Sequence, residues 1–183
     1  CFVFMTFQGA RLGDDIVAAN AILMNFLLLI SFGLDGIANA AEALVGQAKG
    51  AKNSKKLQNV VSVSLIWTLI FASLFAFFFA VAGHWLIGMI TTIESVVTIA
   101  NIYLPWMILL PLVACWCFLF DGIYVGLMQA SVMRNSMIIA TFFCFFPVWM
   151  MLSSFGNHGL WAAFCCFMFA RGVTLAWHYF RYN

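Results

Sequence analysis

Long apolar segments separated by short polar ones make up almost the whole chain. Charged residues are absent from 57–83, from 95–120 and from 135–157. A helix needs about 20 mainly apolar residues to cross a hydrocarbon core about 30 Å thick, so the pattern predicts an all-α membrane bundle of about six helices. The predicted spans are approximately 1–9, 16–48, 57–81, 94–130, 135–152 and 159–179.

Loop signals mark the predicted turns and connectors, at 9–15, 49–56, 83–92, 134–135 and 153–159. Pro105 and Pro111 fall inside the fourth span, where a proline removes a backbone donor and is expected to kink the helix. The second span is longer than a bilayer is thick, so we expect it to tilt, bend or extend beyond the membrane. Its predicted bend or close-packing points are Gly33, Gly36 and Gly46.

The start of the chain predicts a truncated first helix. Cys1 is not a methionine, and it lies in an apolar segment too short to cross a membrane. The segment also lacks the basic stretch and small-residue cleavage site of a signal peptide. We therefore expect upstream sequence to be missing.

Composition narrows the class of protein further. Of the 183 residues, 66% are hydrophobic and 8% are charged, whereas soluble domains carry about 25% charged residues. The net charge of +2 is too small to indicate a nucleic-acid partner. No HExxH, GxSxG or P-loop motif is present, so we expect no enzyme, no ATP hydrolysis and no cofactor. The six cysteines lie in apolar segments without a CxxC pair and are predicted to be reduced hydrophobic residues rather than metal ligands.

The basic residues of the short loops predict an orientation. If the spans alternate in direction, most lysines and arginines outside them fall on one side of the membrane: Lys49, Lys52, Lys55, Lys56, Arg134 and Arg181. Short cytoplasmic loops are enriched in these residues. The basic loops and the C-terminus are therefore predicted to be cytoplasmic.

Three acidic residues lie inside the predicted spans, away from their first residues: Asp35, Glu42 and Asp121. Asp35, Asn39 and Glu42 follow helical spacing and therefore share one face of the second span. A charge at the bilayer centre costs about 2.5–3.5 kcal/mol on insertion scales, so such residues usually face a cavity or a partner. The stripe indicates either a cation-responsive cavity wall or interhelical hydrogen bonding. Asp121, with Tyr124 one turn away, is either a proton-coupling acid or a buried acid locked to a neighbour.

The two aspartates belong to a short internal repeat. Segments 32–37 and 118–123 both read F-x-x-D-G-I, and both lie on spans predicted to run in the same direction. Internal repeats are common in secondary transporters.

Several segments resemble one family, in order along essentially the whole chain. The first set resembles the eighth helix of the multidrug-and-toxin extrusion (MATE) family, in particular its DinF-like branch: Ala19, Asn20, Phe26, 33–36 (GLDG), 41–42 (AE) and 44–50 (LVGQAKG). Segments 103–106 (YLPW) and 121–123 (DGI), with Pro111, are similar to that branch's tenth helix, and 159–162 (GLWA) resembles the opening of its twelfth.

The resemblance implies a parent of twelve helices in two lobes, of which residues 1–183 are the C-terminal lobe. It implies an antiporter of a bacterial inner membrane that exports organic cations or other toxic small molecules in exchange for protons or sodium. A missing N-terminal lobe and the lipid bilayer would be its partners. Two departures matter: where some branches carry an acid on the seventh helix, this chain has Gln8, and the first-helix aspartate of the DinF-like branch belongs to the missing lobe.

The candidate residues for substrate or ion coupling are Asp35, Asn39, Glu42, Asp121 and Tyr124, and those for lining a cavity are Met24, Phe32 and Met128. None is predicted to be catalytic or to bind a metal. Two alternatives remain. A lipid-linked precursor flippase of the same superfamily would need a basic cavity, and Arg171 is placed near an end of its span. A non-transporting membrane scaffold would tolerate neutral replacement of the acids.

Overall fold

The computed structural model describes residues 2–182, so the prediction for Cys1 lies outside the described residues. The helices are α1 (Phe2–Leu12), α2 (Asp14–Gly50), α3 (Ser54–Ile90), α4 (Glu94–Gly126), α5 (Ala130–Ile139), α6 (Phe146–Leu152) and α7 (Asn157–Tyr182). A π-helical turn (Ala140–Phe145) joins α5 to α6, and a 3₁₀ turn (Ser153–Phe155) follows α6.

The prediction of an all-α membrane bundle is confirmed. Five helical segments are long and apolar enough to cross a membrane: α2, α3, α4, the segment Ala130–Phe155 and α7. The shorter α1 adds a sixth helix of 11 residues in the described part of the chain.

The widened turn between α5 and α6 has a local cause in the sequence. Pro147 is the second residue of α6 and has no backbone N–H to donate to the carbonyl of Phe143. The backbone bonds upstream shift to the wider π spacing over Ala140–Phe145. The helical path therefore continues across the proline, and the segment remains one membrane-length element.

Two predicted turns are wrong. The 83–92 connector is helical as far as Ile90. Gly83 lies at a helix contact, where a Cβ would overlap the side chain of Leu104 on α4. Arg134 and Asn135 lie inside α5, and the chain turns at 127–129 instead.

The ends of α2 and α4 share one capping geometry. The N–H of Gln129 donates to the carbonyl of Tyr124 at 2.9 Å, and the N–H of Asn53 donates to that of Ala48 at 3.1 Å. Both bonds close a Schellman cap, whose penultimate residue adopts a left-handed conformation that usually favours glycine. Here Lys52 (φ 51°) and Met128 (φ 57°) adopt it. The sequence has a glycine two positions earlier in each case, Gly50 and Gly126, but none at the left-handed position itself.

Neighbouring helices run antiparallel, so α2, α4 and α7 run in the same direction, with α4 at the centre of the bundle. The Lys49 ammonium donates to the carbonyl of Leu127 and joins the α2–α3 turn to the α4–α5 turn. These turns and the C-terminus of α7 therefore lie at one end, which we call the basic end. Helix α2 remains a single helix, and α4 continues through Pro105 and Pro111.

Helices α2 and α4 approach each other through a pair of glycines four residues apart. A Cβ at Gly122 would overlap the backbone of Ala38, and one at Gly126 would overlap the carbonyl oxygen of Glu42. Small residues at this spacing let membrane helices pack backbone to backbone. This contact fixes the position of Asp121, next to Gly122, along the axis of α2.

Candidate functional site

Helices α2 and α7 flank α4 and meet at the end of the bundle opposite the basic end. Asn20 of α2 and Asn157 of α7 exchange two amide hydrogen bonds of 2.8 Å, and the Trp161 indole N–H donates to the Asn20 oxygen at 3.0 Å. All three side chains are buried. This amide cluster fixes α2 to α7 at one end.

Towards the basic end, the face of α4 that lies between α2 and α7 becomes accessible. Met107, Pro111 and Ala114 are buried on it, whereas Asp121 is half-buried and Val125 is exposed further along. Gly122 of this region contacts α2, and Tyr124 contacts α7. The open face lies between these two contacts. We call this space the central groove, with α4 as its floor and α2 and α7 as its walls.

A buried ion pair links the floor to the α7 wall. The Arg171 Nη2 atom donates to both carboxylate oxygens of Asp121, at 2.9 Å and 2.6 Å. The arginine side chain is 8% exposed and the aspartate side chain 23%. The thiol of Cys117, one turn before Asp121, lies 3.9 Å from the same carboxylate. Asp121 is therefore paired across helices while part of its side chain still faces the groove.

Closer to the basic end, polar side chains connect α4 and α5 to α7. The Tyr124 hydroxyl donates to the carbonyl of Leu175 at 3.0 Å and lies 2.9 Å from His178 Nδ1. The Ser136 and Thr174 hydroxyls are 2.6 Å apart. Tyr124 is fully buried, so its hydroxyl binds α7 and does not reach the groove.

The α2 wall carries the predicted polar stripe. Gly33 faces Phe75 of α3, and Asp35, two residues further along a helix, points to the other flank of α2. Asp35 and Glu42 are half-buried, and Asn39 is exposed. Within the described residues, Asp35 has no ion pair or hydrogen bond to its carboxylate. It does lie close enough to Asp121 for the two charges to interact.

The predicted cavity residues are dispersed. Met24 lines a cavity of about 270 Å³ between α1 and α2, together with Asn20 and Thr6. Phe32 is 72% exposed on α2. Met128 is 90% exposed and lies in the turn after α4 rather than on the helix beside Asp121. The structure therefore brings together Asp35 and Asp121 and leaves Met128 apart from them.

The placement of Arg171 near the end of its span is wrong. It is the fifteenth residue of a helix that runs from Asn157 to Tyr182, and it reaches the middle of the bundle. The sequence did contain a signal, because a lone arginine inside an otherwise charge-free span needs an acidic partner. The amide cluster was not predicted either, because neutral polar side chains in a membrane span do not by themselves indicate an interhelical contact.

The two copies of the F-x-x-D-G-I repeat differ in environment. Gly122 is pressed against α2, whereas open space surrounds Gly36. Asp121 is ion-paired, whereas Asp35 is not. The repeat therefore places two aspartates on parallel helices without giving them the same surroundings.

Comparisons with known proteins agree with this architecture. The MatE family model matches residues 1–155. The chain is 40% identical over 96% of its length to DNA damage-inducible protein F of Escherichia coli, of which it covers 38%. It is 34% identical over 55% of its length to the probable multidrug resistance protein YoeA of Bacillus subtilis, of which it covers 22%.

A plant relative and a solved structure extend the comparison. The chain is 23% identical over 97% of its length to protein DETOXIFICATION 42 of Arabidopsis thaliana and covers 34% of it. A crystal structure of the eukaryotic MATE transporter AtDTX14 superposes with a TM-score of 0.82 at 16% identity, over 91% of this chain and 38% of that one. The chain thus spans less than two fifths of each matched protein. The family model and the bacterial relatives together establish that the chain belongs to the MatE family.

Proposed function

We propose that this chain is the C-terminal lobe of a secondary antiporter that exports organic cations or other toxic small molecules in exchange for protons or sodium ions. The observation that carries the proposal is the unpaired carboxylate of Asp35 on the wall of a groove inside a membrane-spanning bundle. Intramembrane acids are costly and usually mark an ion or substrate pathway. The names of the Bacillus and Arabidopsis relatives support export of toxic compounds.

The groove suits a cation because its charges do not cancel. Arg171 compensates Asp121, which leaves Asp35 and Glu42 as acids without a cationic partner among the described residues. A proton or sodium ion and a cationic cargo would compete for the carboxylates of the groove, as an exchange mechanism requires. The second lobe of the parent would close the groove from the other side.

The two alternatives make different demands on the same groove. A flippase for a lipid-linked precursor needs an uncompensated basic residue for phosphate. Arg171 does lie at mid-bundle, but its charge is paired with Asp121, so the groove does not favour an anion. A non-transporting scaffold has no use for Asp35 as an acid.

The test uses the full-length protein in vesicles loaded with a fluorescent cationic dye. A proton gradient and a sodium gradient are imposed separately, with Asp35→Asn and Asp121→Asn beside the wild type. Glu94→Gln, at an exposed helix start remote from the groove, is the matched control. We expect gradient-driven dye movement that Asp35→Asn abolishes and Glu94→Gln leaves intact. Normal transport by both aspartate variants would remove these acids from the mechanism.

A further inference from the structure

The ion pair between Arg171 and Asp121 does not satisfy the hydrogen-bonding capacity of the guanidinium group. Both contacts to the carboxylate come from Nη2, whereas the strongest carboxylate–guanidinium pairs use two nitrogens in parallel. The Nε atom of Arg171 is buried and has no hydrogen-bond partner among the described residues. A buried donor without a partner is destabilising. The pair therefore holds Arg171 in a position that leaves part of its bonding capacity unused.

The two partners also differ in access. Arg171 approaches the carboxylate from α7 and is almost fully buried, whereas Asp121 retains exposure on the groove side. The titratable or charged groups that act on Asp121 are Arg171 of α7, Asp35 of α2 and Cys117 of α4 itself. A cation that enters the groove therefore meets the carboxylate from the side that Arg171 leaves open.

We propose that Arg171 is a positioning residue that occupies Asp121 in place of the coupling cation, so that binding of the cation and the α4–α7 contact exclude each other. The inference rests on the proposed antiport. With the pair formed, Asp121 is neutralised and α4 is held to α7. When a proton or sodium ion takes the carboxylate, the arginine charge is released at the groove wall. That charge opposes a cationic cargo beside Asp35, which couples arrival of the ion to departure of the cargo.

The native thiol of Cys117 provides a reporter that needs no knowledge of the cargo. Cys117 is 1% exposed and lies one turn from Asp121, so separation of the pair should expose it. In the full-length protein with every other cysteine replaced, its alkylation by N-ethylmaleimide is followed while sodium is varied at constant pH, and then pH at constant sodium. A variant that keeps only the exposed Cys166 corrects for the direct effect of pH on the reagent. We expect at least roughly a fivefold faster reaction of Cys117, relative to Cys166, when the coupling cation saturates.

Substitutions of Arg171 and Asp121 distinguish an arginine that competes with the coupling cation from one with a purely structural role. In Arg171→Gln, Asp121 is always available, so the concentration of the coupling cation that half-saturates dye movement should fall by roughly 5- to 150-fold. Arg171→Lys retains a cation and the single-nitrogen contact, and it should restore most of the wild-type cation dependence. Asp121→Asn should abolish the cation response of Cys117. If single variants fail to fold, Asp121→Asn combined with Arg171→Gln removes both charges and should fold without any cation response.

The outcomes distinguish this inference from the proposed function. Dye movement that responds to the gradients while Cys117 labelling ignores the cation would overturn the exchange at Asp121 and leave antiport standing. An unchanged half-saturating concentration in Arg171→Gln would likewise show that the arginine is only structural. Cation-dependent labelling without movement of any dye would support the exchange and refute the proposed cargo.

Discussion

Gly36 and Gly122 occupy the same position in the F-x-x-D-G-I repeat, yet alanine should have opposite effects at the two sites. A Cβ at Gly122 would overlap the backbone carbonyl of Ala38, which cannot rotate away. A Cβ at Gly36 would have nothing within 4 Å. The pair therefore tests whether α2 and α4 pack backbone to backbone beside Asp121.

The magnitude follows from two opposing contributions. Alanine is more favourable than glycine in a helix by about 0.8–1 kcal/mol, and Gly36→Ala should gain roughly that amount. Gly122→Ala gains the same propensity but forces the helices apart, and overpacking costs about 1–3 kcal/mol. The propensity gain cancels in the difference between the two variants, which leaves the overlap. For a unit of 183 residues that difference corresponds to roughly 2–12 °C in the midpoint of thermal unfolding, and in the longer full-length protein to less.

The assay is thermal unfolding of the full-length variants in one detergent, followed by the loss of the monodisperse peak in size-exclusion chromatography. Gly122→Ala should unfold at a lower temperature than Gly36→Ala. Gly126→Ala should follow Gly122→Ala, because its Cβ would overlap the carbonyl of Glu42. A midpoint for Gly122→Ala equal to or above that of Gly36→Ala would refute the close approach of α2 and α4.

Two further predictions concern the ends of the bundle. Asn20→Ala removes three interhelical hydrogen bonds, each worth roughly 0.6–1.7 kcal/mol in membrane proteins. Thermal unfolding should therefore show a loss of about 2 kcal/mol or more, whereas the exposed Asn25→Ala should change little; equal midpoints would contradict the amide cluster. We also propose that the basic end is cytoplasmic. In cells that express the variants in a cysteine-free background, a membrane-impermeant thiol reagent should label Thr92→Cys and not Lys55→Cys. The reverse labelling pattern would show that the topology is inverted.

The acids of the site were visible in the sequence, but their roles were not. Asp35 and Asp121 stood out because charges are rare in spans of this hydropathy. Whether Asp121 was free or locked depended on a residue fifty positions away, Arg171, whose partner no local pattern identifies. Of the two interpretations offered for Asp121, the structure shows the locked one in this conformation. The coupling roles of all five candidates stay predictions: Asp35, Asn39, Glu42, Asp121 and Tyr124.

Helix ends were the weakest part of the sequence interpretation. The sequence predicts a connector at 83–92, but the small size of Gly83 serves a contact with Leu104. Lys52 and Met128 adopt the left-handed conformation that caps α2 and α4, although neither residue type signals it. The backbone hydrogen bonds of each cap compensate for the unfavourable conformation, and those bonds are visible only in three dimensions.

The sequence by itself determined that the chain lies in a lipid bilayer, and it also determined the fold class and the family. Charge-free segments of bilayer length leave no alternative to helices that satisfy their own backbone bonds in lipid, and that constraint is local. Tertiary structure alone decided which face of α4 opens as a groove, that Asn20 joins α2 to α7, and that Arg171 neutralises Asp121. These contacts depend on how the helices rotate and approach each other, and such packing results from small residues and interhelical bonds distant in the chain. Periodicity within one helix carries no information about them.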